Sequence, residues 1–154
     1  MNKFITPGKA KQVNATILAP ENAGLRLVLN AVGQHGKFES KLDGVLTKKW
    51  SKVREDYKGW YATQHNFKLG WLNNTAVSSD TWVVNMLVED KDGKLDATAL
   101  QLAVKKVAEL AKYEHGSVHV STILTAAIPA LQPLLVTHCI ETGINVYFYN
   151  EPTK

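Results

Sequence analysis

The chain is expected to fold as an α/β domain in three layers, α/β/α, with helices on both faces of a central, mixed and mostly parallel sheet. Three observations predict this. First, the run Trp82-Val83-Val84-Asn85-Met86-Leu87-Val88-Glu89 is nearly all apolar or β-branched and contains no Gly or Pro. It lies between Asp80-Thr81 and the turn Asp90-Lys91-Asp92-Gly93, so it reads as a strand buried on both faces, which needs a layer on each side. Second, strands alternate with helical stretches in the second half, which calls for crossover connections and parallel pairing. Third, 154 residues are enough for one domain with its own core. Residues 1–12 are read as an N-terminal extension, 13–150 as the single domain and 151–154 as a tail.

Taken in order, Val13 to Leu18 is a short β-leaning run, and Pro20-Glu21-Asn22-Ala23-Gly24 is a turn. Leu25, Leu27 and Leu29 alternate on a second strand, followed by a polar, glycine-containing loop from Asn30 to Lys41. Asp43 is placed to cap a helix through Leu46, Trp50, Val53 and Tyr57. Leu69 to Val77 and Thr81 to Glu89 are strands, and Ser78-Ser79-Asp80 between them suits a hairpin. Asp96 caps a long helix whose Leu100, Ala103, Val104, Val107, Leu110 and Ala111 fall on one face, with Gly116 past its end. Ser117 to Ile123 alternates as a strand. A last helix has Pro129 or Pro133 in its first turn and stops at Gly143, and Ile144 to Tyr149 is the final strand.

Composition narrows the functional classes. The one cysteine, Cys139, rules out an internal disulfide framework and suits a reducing compartment. No apolar run reaches the roughly 20 residues that span a bilayer, and no apolar stretch follows the N-terminal lysines as in a secretory signal. A soluble, cytoplasmic protein is expected. Much of the net charge of +4 lies between Lys37 and Lys58, interleaved with Trp50 and Tyr57. Because Glu39, Asp43, Glu55 and Asp56 are mixed in, the stretch reads as a solvated amphipathic helix rather than a nucleic-acid surface. His115, His119 and His138 lack metal-ligand spacing on a shared face, so neither a metal nor a cofactor is expected.

Several strings resemble one family. They are Leu29-Asn30-Ala31-Val32-Gly33, Lys48-Lys49-Trp50, Tyr57-Lys58-Gly59-Trp60-Tyr61, Phe67-Lys68-Leu69-Gly70, Trp82-Val83-Val84-Asn85-Met86, Ser117-Val118-His119-Val120 and Val146-Tyr147. In this order, with the Lys105-Lys106-Val107-Ala108-Glu109 helix, the chain resembles the macro domain family, which binds ADP-ribose, and most of all the branch that removes ADP-ribose or its phosphate from substrates. The resemblance implies a macro-like three-layer fold and a cleft formed by two loops.

Mapped onto this chain, the resemblance gives candidate ligand-binding residues. Asn14 stands near the family's adenine-recognising Asp, and Asn30, Gly33, Gly36 and Lys37 stand in the first loop. Ser121, Thr122, Ile123 and Thr125 stand in the second loop. That second loop, Ser121-Thr122-Ile123-Leu124-Thr125-Ala126-Ala127-Ile128-Pro129, lacks the family's arginine and both of its glycines. A nest of backbone N–H groups for a diphosphate needs a residue at φ > 0, which Leu, Ala and Ile resist. No Asp or Glu lies between Glu114 and Glu141, so this loop supplies no catalytic carboxylate. Glu89 adds an ionisable group near the cleft where relatives often carry glutamine.

The catalytic candidates are weak. Lys91 stands where one branch carries a lysine nucleophile, but it sits in an Asp-Lys-Asp-Gly turn that favours a solvated ammonium. His35 is a possible general base with no identifiable acidic orienter. The expected function is a macro-type module binding ADP-ribose or a related nucleotide, with weak or no ADP-ribosyl hydrolase activity. The alternative is a non-catalytic divergent macro fold acting through protein–protein interaction or inhibition. An ADP-ribose-processing hydrolase or phosphatase ranks third. The expected partners are the nucleotide and, under the alternative, a protein; nucleic acid and membrane are not expected.

Overall fold

The structure, a computed structural model, describes residues 6–21 and 24–152. Asn22 and Ala23 of the expected Pro20–Gly24 turn, and the chain ends, lie outside the described residues.

Strand β4, Thr81–Glu89, is the buried strand that organises the fold. Val83, Val84, Asn85, Met86 and Leu87 have no solvent exposure, so both faces of the strand are covered. Burying a Val, Leu or Met side chain contributes about 1.5–3 kcal/mol, which makes this strand the energetic centre of the molecule. On one side it pairs in parallel with β2, Arg26–Gly33, with Asn30 opposite Asn85. On the other it pairs antiparallel with β3, Leu72–Ser78, as the expected hairpin. β5, Ser117–Ser121, pairs in parallel with β2, and β6, Val146–Tyr149, with β5. β1, Ala10–Val13, pairs in parallel with β6 at the edge. The strand order is β1-β6-β5-β2-β4-β3, mixed and mostly parallel.

α1, Lys41–Lys49, and α2, Ser51–Thr63, pack against each other, and α2 also packs on β3. α3, Ala97–Glu114, packs on β4 and against α5, Leu131–His138. A short α4, Thr122–Ala127, follows β5 directly. The α/β/α architecture is as the sequence predicts.

β3 and β6 start a few residues later than expected, and the last helix stops at His138 rather than Gly143, with the short turn Ile140–Thr142 following it. Five further boundaries differ, each for a physical reason. β1 ends at Val13 instead of starting there, because Thr16 and Ile17 turn to meet the Glu151 carboxylate: Thr16 Oγ1 donates to it at 2.9 Å and Ile17 N–H at 2.9 Å. The sheet thereby takes in Ala10 to Gln12. β2 extends past Leu29 to Gly33, since Asn30 is paired inside the core. The first helix breaks at Trp50, whose φ of −127° and ψ of 69° end α1 and start α2. Ser40 rather than Asp43 is the N-cap of α1; Asp43 occupies the third helical position and completes a capping box. β5 stops at Ser121, because its next residues coil into α4.

No helix of the described residues is long and apolar enough to cross a membrane. Cys139 is buried, and burial pushes its thiol up to about 12, so it behaves as a core residue. His119 is also core. Its ring has no exposure, stacks on Tyr147 at 4.6 Å, and lies 2.7 Å from both Ser117 Oγ and Tyr149 Oη. Burial, with a smaller contribution from Arg26, holds its pKa down at about 3.

Candidate functional site

The carboxyl ends of β2 and β4 open into a cleft between the segment after β2 and helix α4, the place where open α/β sheets hold ligands. Two adjoining cavities form it, of about 280 and 250 Å³. Ala31, Ser40, Glu89 and Gly93 line both.

Behind the cleft runs a chain of side-chain amides that ends on the Asp43 carboxylate, and of these groups Asp43 lines the cleft. Asn30 Nδ2 donates to Asp43 Oδ1 at 2.8 Å and to Asn85 Oδ1 at 3.0 Å, and Asn85 Nδ2 donates to Asn73 Oδ1 at 3.3 Å. Asn30 Oδ1 is buried and has no hydrogen-bond partner among the described residues. Asp43 Oδ2 accepts from Ser40 N–H at 3.0 Å. Burial raises the Asp43 carboxyl above the usual carboxylate range, against the Asn30 and Ser40 hydrogen bonds that lower it, and the Glu89 charge adds to the rise.

Glu89 forms the wall. Its Oε1 lies 3.0 Å from His35 Nε2, and His35 Nδ1 accepts from Lys37 N–H at 3.0 Å. The Lys37 amide can only donate, so it fixes the proton on Nε2, and His35 donates to Glu89. The histidine therefore has the acidic orienter that sequence reasoning did not find, and that orienter comes from the central strand. Both ring nitrogens are engaged, so neither is open to take a proton from a substrate.

The glycines of the first loop make room for side chains of the protein itself. The space beside Gly33 holds the His35 ring, with Nε2 at 2.3 Å from where a Cβ would stand. Beside Gly36, at φ +80°, lies the Tyr61 ring. Gly36 N–H donates to Tyr57 Oη at 3.0 Å, and Tyr57 Oη donates to Gly33 O. Tyr57, its pKa raised to about 12 mainly by burial, is a neutral strut under this loop.

On the opposite wall, the hydroxyls of the second loop serve the backbone. Ser121 Oγ accepts from Ile123 N–H at 3.1 Å, Thr122 Oγ1 donates to Tyr149 O at 3.1 Å, and Thr125 Oγ1 donates to Thr122 O at 3.4 Å. With no glycine to hold an open nest, Thr122–Ala127 closes into helix, and Ile123 and Leu124 face the cleft. Asn14 lies elsewhere, its Oδ1 accepting from Asn150 Nδ2 at 3.0 Å.

Of the residues expected from sequence, His35, Lys37, Glu89 and Ile123 line the cleft directly, and Asn30 sits behind it through Asp43. Lys91 is exposed in its turn and lines a further, larger cavity of about 700 Å³ that shares His35 and Lys37 with the cleft. Asp43 and Ser40 are the lining residues that sequence reading missed. Their Ser-x-x-Asp spacing is a visible capping signal, but nothing local says that the capped helix begins beside a cleft. Among the described residues no cluster of three His, Cys, Asp or Glu side chains is arranged to hold a metal.

No family model matches the chain, and no curated protein matches its sequence. Solved structures do match its shape. A macrodomain protein from Streptomyces coelicolor is 22% identical with a TM-score of 0.84, covering 92% of this chain and 99% of its own. The macrodomain of Thermus aquaticus DarG is 12% identical with a TM-score of 0.71, covering 93% and 99%. DarTG from Thermosipho africanus, solved in complex with ADP-ribose, is 12% identical with a TM-score of 0.66 and matches over 83% of this chain and 38% of its own. At these identities the likeness speaks for architecture, and with the sheet order and the cleft above it gives one conclusion: this chain has the fold of a macro domain.

Proposed function

We propose that the chain is a ligand-binding module of the macro type, taking ADP-ribose or a related nucleotide in the cleft between the segment after β2 and α4, with weak or no hydrolase activity. One observation carries this reading: a partly buried cleft with polar and apolar walls opens at the carboxyl ends of β2 and β4. A solved protein of the same fold holds ADP-ribose. Lys37 and Ile123 are the expected binding residues on its walls, with Ser40 and Glu89 beside them.

Three features argue against turnover. The second loop brings no acid, both His35 nitrogens are occupied, and Lys91 is solvated in its turn. The alternative, a protein-interaction role, draws on the collapse of that loop into α4 and on the Glu151 carboxylate occupying the Ile17 N–H.

Thermal-shift and calorimetric titration with a panel of ADP-ribose, NAD, ATP and free phosphate tests the binding reading. A ligand at a hundred times its Kd stabilises the fold by about 2.7 kcal/mol. Absence of any shift across the panel at millimolar concentration refutes it. Release of ADP-ribose from a modified protein would refute the non-hydrolytic part.

A further inference from the structure

The cavity of about 700 Å³ beside the cleft differs from it in charge. It shares His35 and Lys37 with the cleft, and Gln34, Tyr61, Ala62, Gln64 and Lys91 complete its lining. No carboxylate lines it, and neither Lys37 nor Lys91 has an ion pair among the described residues. The acids that flank Lys91 in sequence do not change this. Asp90 Oδ1 accepts from the Asp92 and Lys94 N–H groups at 2.8 and 3.0 Å, and Asp92 does not line the cavity.

The cleft itself has the reverse balance. Glu39, Asp43 and Glu89 line it against Lys37 and Lys41, together with hydrocarbon from Leu124, Ala127 and Ile128. The Ile123 N–H at the start of α4 is already taken by Ser121 Oγ. A phosphate seated there would share a partly dehydrated space with carboxylates and hydrocarbon, whereas beside Lys37 and Lys91 it meets cations alone.

The supports of those two lysines are fixed before any ligand arrives. The backbone carrying Lys37 is held by three hydrogen bonds: Gly36 N–H to Tyr57 Oη, Lys58 Nζ to Gly36 O, and Lys37 N–H to His35 Nδ1. Lys91 stands in the turn that Asp90 closes. The solvation that disqualifies Lys91 as a nucleophile keeps it fully charged, which is what a point-charge contact to phosphate requires. His35 lines both cavities, and its Nε2 ties it to Glu89 at the boundary between them.

We infer that the larger cavity is the phosphate site of this protein: the phosphates of a bound nucleotide lie past His35, between Lys37 and Lys91, and not against the start of α4. This rests on the binding reading above and adds where the charged part of that ligand goes. Lys91 becomes a binding residue.

Calorimetry of the full chain with ADP-ribose, adenosine and inorganic pyrophosphate tests it, on the unaltered protein and on Lys91→Gln, Lys37→Gln and Lys41→Gln. All three lysines are exposed, so the variants fold. ADP-ribose is expected to bind about tenfold or more tightly than adenosine, with pyrophosphate competing. Lys91→Gln and Lys37→Gln should each weaken ADP-ribose and pyrophosphate about tenfold, as for a hydrogen bond to a charged group, and leave adenosine unchanged. If ADP-ribose binds and Lys91→Gln does not weaken it, or Lys41→Gln weakens it more, the inference is overturned and the binding reading stands. If pyrophosphate alone binds, and Lys91→Gln weakens it, the phosphate site is upheld and the nucleotide reading falls. If neither phosphate-bearing probe binds the unaltered protein, the inference is overturned together with ADP-ribose as ligand.

Discussion

At Gly33 an added methyl would stand 2.3 Å from His35 Nε2 and 3.0 Å from Glu89 Cβ. Gly33→Ala is therefore expected to displace the imidazole, break its hydrogen bond to Glu89 and destabilise the fold by roughly 1–3 kcal/mol, as overpacking does; a denaturant titration reads the change. His119 gives a pH signature. It is uncharged in the fold, with a pKa of about 3 against 6.5 in the unfolded chain. Between those values the unfolded chain takes up a proton that the native state refuses, so its contribution is intact above about pH 6.5 and is lost as pH falls toward 3. Asp43 acts in the opposite sense: its raised pKa favours the fold at low pH, and that contribution is lost as pH rises through the folded value. His119→Gln should flatten the fall in melting temperature between pH 6.5 and 4, and an unchanged slope would contradict the assignment. At this scale the sequence was partly legible. That His119 is packed follows from its place between Val118 and Val120, but its neutral state comes from burial in the assembled sheet, with a smaller contribution from Arg26, which lies far from it along the chain.

Ser40 and Asp43 at the start of α1 exchange two hydrogen bonds, Asp43 N–H to Ser40 Oγ and Ser40 N–H to Asp43 Oδ2, each 3.0 Å. Ser40→Ala removes one of them and should cost about 1 kcal/mol, measurable by chemical denaturation. Elements that were legible are those whose signal is local and repeated. The apolar stripe and Asp96 cap of α3 gave that helix correctly, with Asp96 Oδ1 accepting from Ala99 N–H at 2.8 Å. The break at Trp50 was not legible, since neither Gly nor Pro marks it and the apolar spacing runs on through Val53. The second loop was legible in one respect: Leu124 and Ala126 in place of the two glycines resist an open nest. That the same residues would form a helix needed the fold, because six residues have no helical tendency worth reading in isolation.

In the molecule as a whole, β4 supports the rest, and Met86→Ala, at a fully buried position, should cost about 2–5 kcal/mol. Against a total stability of 5–15 kcal/mol typical of a native domain, a calorimetric scan should show a large drop in melting temperature. The layered class was readable from β4 and the helix–strand alternation, whereas the strand order was not, because pairing partners lie far apart along the chain. β1 is the extreme case. Ala10–Val13 pairs with β6 alone among the strands, through Val146–Tyr149, across nearly the full length of the chain. Until β6 has been synthesised and laid against β5, β1 has no strand to pair with, and closing so long a loop is slow. The earliest of the six strands to be made is thus the last to be stitched in. The exposed β6 edge of the nascent protein is open during that interval to the β1 segment of a neighbouring copy, which makes exchange of this strand between chains the characteristic misassembly to look for.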